Sequence, residues 1–153
     1  MALAIITVWY VGIGALSAAG STYLSHRFVP AKHEATLYGL FLIAIAAFYL
    51  ACTSYFKDAA AGSLETVAVV AFAVMGCLGT RVPVVLIVGY ALHGGWDLLH
   101  ELQAHLQVDV FGGREATTIP LAYGAFCTTF DWAMVVYFAY RRRHWVAAWK
   151  SRA

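Results

Sequence analysis

The chain has 153 residues, of which 62% are apolar and only 12% are charged. A soluble domain is usually about one-quarter charged, so this composition excludes an ordinary water-facing surface. The net charge of +2 is small, and the three cysteines form no CxxC pair, which argues against a disulfide framework or a thiol redox centre. We therefore predict an all-α, polytopic membrane helix bundle that forms a single transmembrane domain over residues 1–153.

Five apolar segments come close to the roughly 20 residues that a helix needs to cross a bilayer. Short polar connections separate them, and the sequence contains no internal repeat. We therefore predict five transmembrane helices. Four spans plus one re-entrant segment are the alternative. The predicted spans are residues 2–24, 36–56, 64–80, 83–102 and 118–140.

Lysine and arginine are unevenly distributed over the predicted connections. Cytoplasmic loops of membrane proteins carry the excess of these residues. Five spans with a cytoplasmic C-terminus leave only Lys57 and Arg114 outside, so we expect an outside N-terminus in a bacterial inner membrane. The eight basic residues on the cytoplasmic side are then Arg27, Lys32, Arg81, Arg141, Arg142, Arg143, Lys150 and Arg152.

Residues 141–153 form a basic segment that also contains Trp145 and Trp149. Basic and tryptophan residues beside a span are typical of an anchor at the lipid headgroups. We therefore predict a cytoplasmic tail that contacts membrane lipids and does not bind nucleic acid. The sequence leaves open whether the chain forms a homo-oligomer.

The fourth segment carries several ionisable side chains, and each of them is costly inside a bilayer. An α-helix turns by about 100° per residue, so residues three or four apart share one face. The polar side chains of this segment fall on one stripe roughly 100° wide, and that stripe must face protein or water. Its members are Tyr90, His93, Asp97, His100 and Glu101, with Trp96 at the border.

A second polar stripe lies on the fifth segment, where Tyr123, Cys127 and Asp131 are spaced four residues apart. Consecutive spans run antiparallel and are usually neighbours. Counting equal rises from the shared connection puts Tyr90 opposite Asp131 and His93 beside Cys127. The two stripes can therefore face each other and hide their polar groups from lipid.

Together the stripes predict one buried site. Asp97 and Asp131 are candidate general acids or bases, and His93 and Tyr90 are the other candidate catalytic groups. His100 and Glu101 are expected nearer the outer mouth, where the third segment begins. The candidate substrate-binding residues are Trp96, Tyr123, Cys127, Glu101 and Glu65.

The same residues predict a metal site. His93, Asp97 and His100 stand at i, i+4 and i+7, which puts two imidazoles and a carboxylate on one helix face. Asp131 can complete the set from the facing helix. Such ligands suit zinc, iron or manganese, so a divalent metal is the candidate cofactor. The alternative is that these groups only hydrogen-bond between helices.

The stretch His-Gly-Gly-Trp-Asp-Leu-Leu-His at 93–100, followed by Cys127 and Asp131, resembles a pattern in an uncharacterised family of small bacterial integral membrane proteins. The resemblance covers the last two predicted helices. It implies that these positions belong together, and it implies no activity.

Two functions fit the predicted site. The first is a membrane-embedded enzyme that acts on an apolar, lipid- or isoprenoid-like small molecule. The second is a proton or metal-ion transporter or channel that uses the same polar residues. A haem protein is the weakest option, because His93 and His100 share one helix face. Tyr38, Tyr49 and Tyr55 of the second segment are interpreted as packing or interfacial residues.

Overall fold

The structure is a computed structural model that describes residues 1–150. Within that range every regular element is a helix and there is no strand, which confirms the predicted all-α class. The five helices follow one another up and down. They are α1 (Ala2–Phe28), α2 (Ala31–Phe56), α3 (Gly62–Gly79), α4 (Pro83–Leu106) and α5 (Tyr123–Lys150).

The boundaries of α4 and α5 differ most from the prediction. Pro83 opens α4, where its fixed φ suits the first helical position, and α4 ends at Gln107 in the left-handed conformation with φ of 56°. Residues 107–122 form an irregular connection, so α5 begins at Tyr123 and not at 118. Because residues 125–150 contain neither glycine nor proline, α5 continues to Lys150.

The basic tail is therefore not a separate segment over residues 141–150. It forms the last turns of α5, and Trp145 is fully buried against the bundle. Trp149 donates a hydrogen bond to the main-chain oxygen of Lys32 in α2, 3.3 Å away. Arg152, which the sequence analysis counted in the tail, lies outside the described residues.

The bundle exposes large apolar side chains and buries most of its acidic ones beside a hydrophobic core. Large hydrophobic side chains such as Leu16, Val67 and Val136 are more than two-thirds exposed, whereas His93 and Asp97 are at most 1% exposed. Helices α1, α2 and α3 are long and apolar enough to span a membrane. These features indicate a membrane protein. Helix α4 carries the polar stripe and α5 the basic turns, and neither has the apolar composition of these three helices.

Small residues let α5 approach its neighbours closely. A Cβ added at Gly94 of α4 would lie 2.8 Å from the Trp132 indole and 3.1 Å from the Asp131 Cβ. Beside this contact, the Thr128 hydroxyl donates to the main-chain oxygen of Gly94 at 2.9 Å. On the other side of α5, a Cβ at Gly14 of α1 would meet the Phe126 oxygen at 2.5 Å. The absence of a Cβ at Gly94 therefore brings the backbone of Asp131 close to α4.

Adjacent glycines of α4 provide a test of this packing. We expect Gly94→Ala to destabilise the protein by about 1–3 kcal/mol, because the added methyl group overpacks the α4–α5 contact. Gly95→Ala adds the same methyl group into open space and should raise stability by up to about 1 kcal/mol through helix propensity. Thermal unfolding of both variants in detergent measures the difference. Equal stabilities would show that Gly94 does not set the helix separation.

Candidate functional site

His93 lies at the centre of a buried group of ionisable side chains. Its Nδ1 atom is 2.7 Å from Oδ2 of Asp131 in α5 and 3.1 Å from Oδ2 of Asp97, one turn further along α4. All three residues are at most 1% exposed. The Tyr49 hydroxyl of α2 donates to Oδ1 of Asp97 at 2.6 Å. The structure thus brings His93, Asp97 and Asp131 together, and we call these three residues the His93 centre.

The hydrogen bonds of the His93 centre define its charge. When both carboxylates are ionised, their oxygens only accept, so Nδ1 of His93 either carries a proton or shares a cation with them. Nε2 of His93 and Oδ1 of Asp131 are buried without a hydrogen-bond partner. Two carboxylates around one imidazole leave the centre with excess negative charge. Burial of such charge is costly unless a cation or additional protons compensate it.

A metal ion is one such cation. One ligand atom from each residue of the His93 centre lies within 4.8 Å of the others, so the group could hold a metal ion. One imidazole nitrogen with two carboxylate oxygens suits the divalent metals that accept mixed nitrogen and oxygen ligands. The geometry does not select one metal among them.

His100 was predicted as a fourth ligand, and the structure places it in a different pair. Its Nδ1 lies 3.0 Å from the main-chain oxygen of Trp96, which only accepts, so Nδ1 donates this hydrogen bond. Its Nε2 lies 2.8 Å from Oε1 of Glu65 in α3. The same carboxylate oxygen accepts the N–H of Thr117 at 3.1 Å, while Oε2 of Glu65 is buried without a partner. His100 therefore belongs with Glu65.

Tyr90 also differs from the prediction. Its hydroxyl donates to the main-chain oxygen of Tyr38 at 3.0 Å, and its ring packs on Phe138. His93, and not Tyr90, lies opposite Asp131. The register differs by three residues from the count of equal rises, which started from helix ends at 102 and 118, whereas α4 ends at Leu106 and α5 begins at Tyr123.

The remaining predicted site residues lie around the centre. Oε2 of Glu101 accepts the N–H of Gly124 at 3.0 Å, so this carboxylate binds the first turn of α5. Tyr123 packs its ring on Phe48 at 5.2 Å. Cys127 is a half-buried free thiol one turn before Asp131 in α5.

An apolar groove of about 590 Å³ runs along the α3–α4 face beside the His93 centre. Phe72 lines the groove, and its ring centroid is 4.9 Å from that of His93, so Phe72 separates the two. Trp96 also lines the groove, and its indole N–H has no hydrogen-bond partner. The other lining residues are Ala68, Ala71, Met75, Ala91, Leu92, Gly95, Leu98 and Leu99.

Sequence reasoning missed a second buried acid, Glu34 of α2. Its carboxylate accepts Nε of Arg141 at 2.9 Å, the indole N–H of Trp145 at 2.8 Å and the hydroxyl of Tyr137. The sequence analysis had placed Glu34 in a connection, whereas α2 begins at Ala31. The buried face of α2 repeats every three or four residues and includes Glu34, Tyr38 and Tyr49, and that spacing is the signal that would have found both Glu34 and Tyr49.

The fold and the site define an all-helical protein that has three candidate membrane spans and a buried His–Asp centre able to hold a metal ion. The profile of a family of unknown function, DUF6010, matches residues 10–144, and the chain belongs to this family. The matched range includes the His93 centre, Glu65, His100 and Glu34. Comparison with curated proteins found no match, and neither did comparison with solved structures.

A double-mutant cycle tests the contact between α4 and α5 at the centre. We expect His93→Ala and Asp131→Ala to be coupled by about 0.5–3 kcal/mol, because either change alone strands the partner in the buried site. The free energies of unfolding in detergent measure the coupling. His93→Ala combined with Glu34→Gln is the control, since Glu34 binds Arg141 and Trp145 elsewhere, and this pair should be additive to within about 0.5 kcal/mol. If the changes in the free energy of unfolding were additive in both pairs, the contact between His93 and Asp131 would be contradicted.

Proposed function

We propose that this protein is a membrane-embedded enzyme whose His93 centre holds a divalent metal ion and acts on an apolar, lipid- or isoprenoid-like molecule. One observation carries the proposal. Two buried carboxylates share one imidazole beside an apolar groove, with only the Phe72 ring between the groove and His93. The negative charge of the two carboxylates requires a compensating cation. The groove provides space for an apolar substrate.

The roles of the residues follow from their contacts. A bound divalent metal would act as a Lewis acid on a substrate oxygen or activate a water molecule. His93, Asp97 and Asp131 would supply its ligands, and a carboxylate not engaged in binding would act as general acid or base. The hydrogen bond from the Tyr49 hydroxyl fixes the orientation of Asp97, as partners of metal ligands usually do.

The groove supports the choice of substrate. Its walls are almost wholly apolar side chains of α3 and α4, and it is open to the lipid-facing surface. An alkyl or isoprenoid chain would lie along these side chains, with its polar end near the unpartnered indole N–H of Trp96. Rotation of the Phe72 ring would then expose the substrate to His93.

The proposal includes the membrane topology. With α4 and α5 as additional spans, all five helices cross a bacterial inner membrane, with the N-terminus outside and the C-terminus in the cytoplasm. The distribution of lysine and arginine supports this orientation. The polar residues of α4 also support a span, since His93, Asp97, His100 and Glu101 are buried in the bundle while Val84, Val88 and Leu92 face outward.

Transport of protons or metal ions is the second candidate. The observation in its favour is that buried acids occur at three levels of the bundle, at Glu65, in the His93 centre and at Glu34. Two contacts argue against a continuous path. Arg141 neutralises Glu34, and the Tyr90 hydroxyl between the levels donates to a main-chain oxygen. Ion flux into proteoliposomes that Asp131→Asn abolishes would favour transport over the enzyme.

Metal analysis tests the centre directly. We expect purified protein to bind a stoichiometric amount of Zn²⁺, Mn²⁺ or Co²⁺, and Asp97→Asn to weaken binding at least about tenfold because it removes a charged ligand. Glu101→Gln is the matched control, one turn away on α4 with its carboxylate on the Gly124 N–H, and should leave the affinity unchanged. Wild-type protein that binds none of these metals would refute the metal centre.

A groove-filling variant tests the apolar substrate. Gly95 lines the groove, and a Cβ there meets no other atom within 4 Å. We expect Gly95→Leu to remove an apolar molecule that co-purifies with the wild-type protein without loss of folding. Gly20→Leu on α1 is the control, because Gly20 is equally unobstructed and far from the groove. Mass spectrometry of organic extracts gives the comparison, and equal extracts from both variants would contradict binding in the groove.

A further inference from the structure

The two ends of the bundle differ in charge. The end formed by the α2–α3 and α4–α5 connections carries five of the eight acidic residues, against two basic ones, Lys57 and Arg114. The opposite end carries seven of the basic residues that the structure describes and one acid, Glu34. We call the first the acidic end. Its acids are Asp58, Glu65, Glu101, Asp109 and Glu115.

A small cavity of about 150 Å³ lies at the acidic end, between the last turns of α4 and the 107–122 connection. The polar side chains in its lining are His100, Gln103, His105, Thr117 and Thr118. The Glu65 carboxylate lies directly behind His100 and Thr117, at 2.8 and 3.1 Å from their nitrogen atoms. Oε1 of Gln103 and Oε2 of Glu65 are buried without partners. The unsatisfied groups here are oxygen acceptors, which attract a cation and not an anion.

Tyr49 stands between this cavity and the His93 centre. Its ring centroid is 4.6 Å from that of His100 and 6.1 Å from that of His93. Its hydroxyl reaches Oδ1 of Asp97. Tyr49 is itself 2% exposed, so its ring closes the space between the two groups of ionisable residues.

We propose that the cavity and the Glu65–His100 pair form the access route by which a divalent cation reaches the His93 centre from the acidic end, with Tyr49 as the closing residue. The inference rests on the proposed metal centre and adds the side of approach, the attracting carboxylate and the gate.

The other approaches to the centre suit a cation less well. The groove along α3 and α4 is lined almost wholly by apolar side chains and would not replace the hydration shell of the ion. At the opposite end, both carboxylate oxygens of Glu34 already accept hydrogen bonds, whereas Oε2 of Glu65 has no partner. Further basic residues surround that end. Within residues 1–150, only the acidic end combines an excess of acidic residues, a cavity with several polar side chains and unpartnered buried oxygens.

Loading kinetics test the route. Metal-free protein in nanodiscs is mixed with Co²⁺, and the visible absorbance of bound cobalt gives both the rate and the extent of uptake. We expect Glu65→Gln to slow loading about tenfold, because a carboxylate in a narrow polar site concentrates cations, while the extent is unchanged. Gln keeps an acceptor for the Thr117 N–H, so the fold is retained. Glu115→Gln is the matched control, since Glu115 is exposed at the same end and salt screens its charge; its loading rate should stay within about twofold of wild type.

Tyr49 provides an independent test. Tyr49→Ala removes the ring and should speed loading at least about tenfold. Tyr55→Ala is the control, because Tyr55 is exposed on the same helix, and its loading rate should stay near that of wild type. Full cobalt uptake at rates that neither Glu65→Gln nor Tyr49→Ala alters would overturn the route and leave the metal centre intact. Wild-type protein that takes up no cobalt would overturn both.

Discussion

The structure depends on one constraint, which is that a buried carboxylate needs a compensating partner. The carboxylate of Glu34 is compensated by Arg141 and Trp145. The carboxylate of Glu65 is compensated by His100 and the Thr117 N–H. The carboxylate of Glu101 binds the first turn of α5. Each partner lies on a different helix or connection from the acid that it binds, so these contacts fix how the helices are arranged. Asp97 and Asp131 differ because they share the single imidazole of His93. The same constraint that assembles the bundle therefore singles out the place where two buried carboxylates share one imidazole.

Periodicity predicted much of this arrangement. The polar stripe of α4 is its buried face, as spacing on a helix requires, and the facing stripe of α5 brings Asp131 to His93. The depth of facing residues was predicted less accurately, because the irregular connection lies at 107–122 and not at 103–117, so both helix ends were misplaced. Apolarity shows that a segment is helical and where its centre lies, but helix ends depend on local geometry such as the left-handed Gln107.

Partners on distant helices could not be predicted in the same way. His100 has the spacing of a ligand with His93 and Asp97, but Glu65 of α3 comes closer to its Nε2. Tyr49 was interpreted as a packing residue because its ring is apolar, while its hydroxyl binds Asp97. Both outcomes depend on how α2 and α3 pack beside α4. The spacing of residues in a sequence predicts which of them share a helix face. Which residue of a neighbouring helix lies opposite them follows only from the assembled bundle.

The centre between α4 and α5 also has a consequence for how the chain reaches its folded state. In the proposed topology, α1, α2 and α3 are apolar enough to enter a membrane individually. Asp97 on α4 and Asp131 on α5 each make their own helix a poor candidate for solitary insertion. Asp131 finds its partner, His93, on α4, so the two helices would integrate as a hairpin rather than one after the other. The chemistry of the site would thus be linked to biogenesis, since a chain without His93 would have difficulty completing its last two spans.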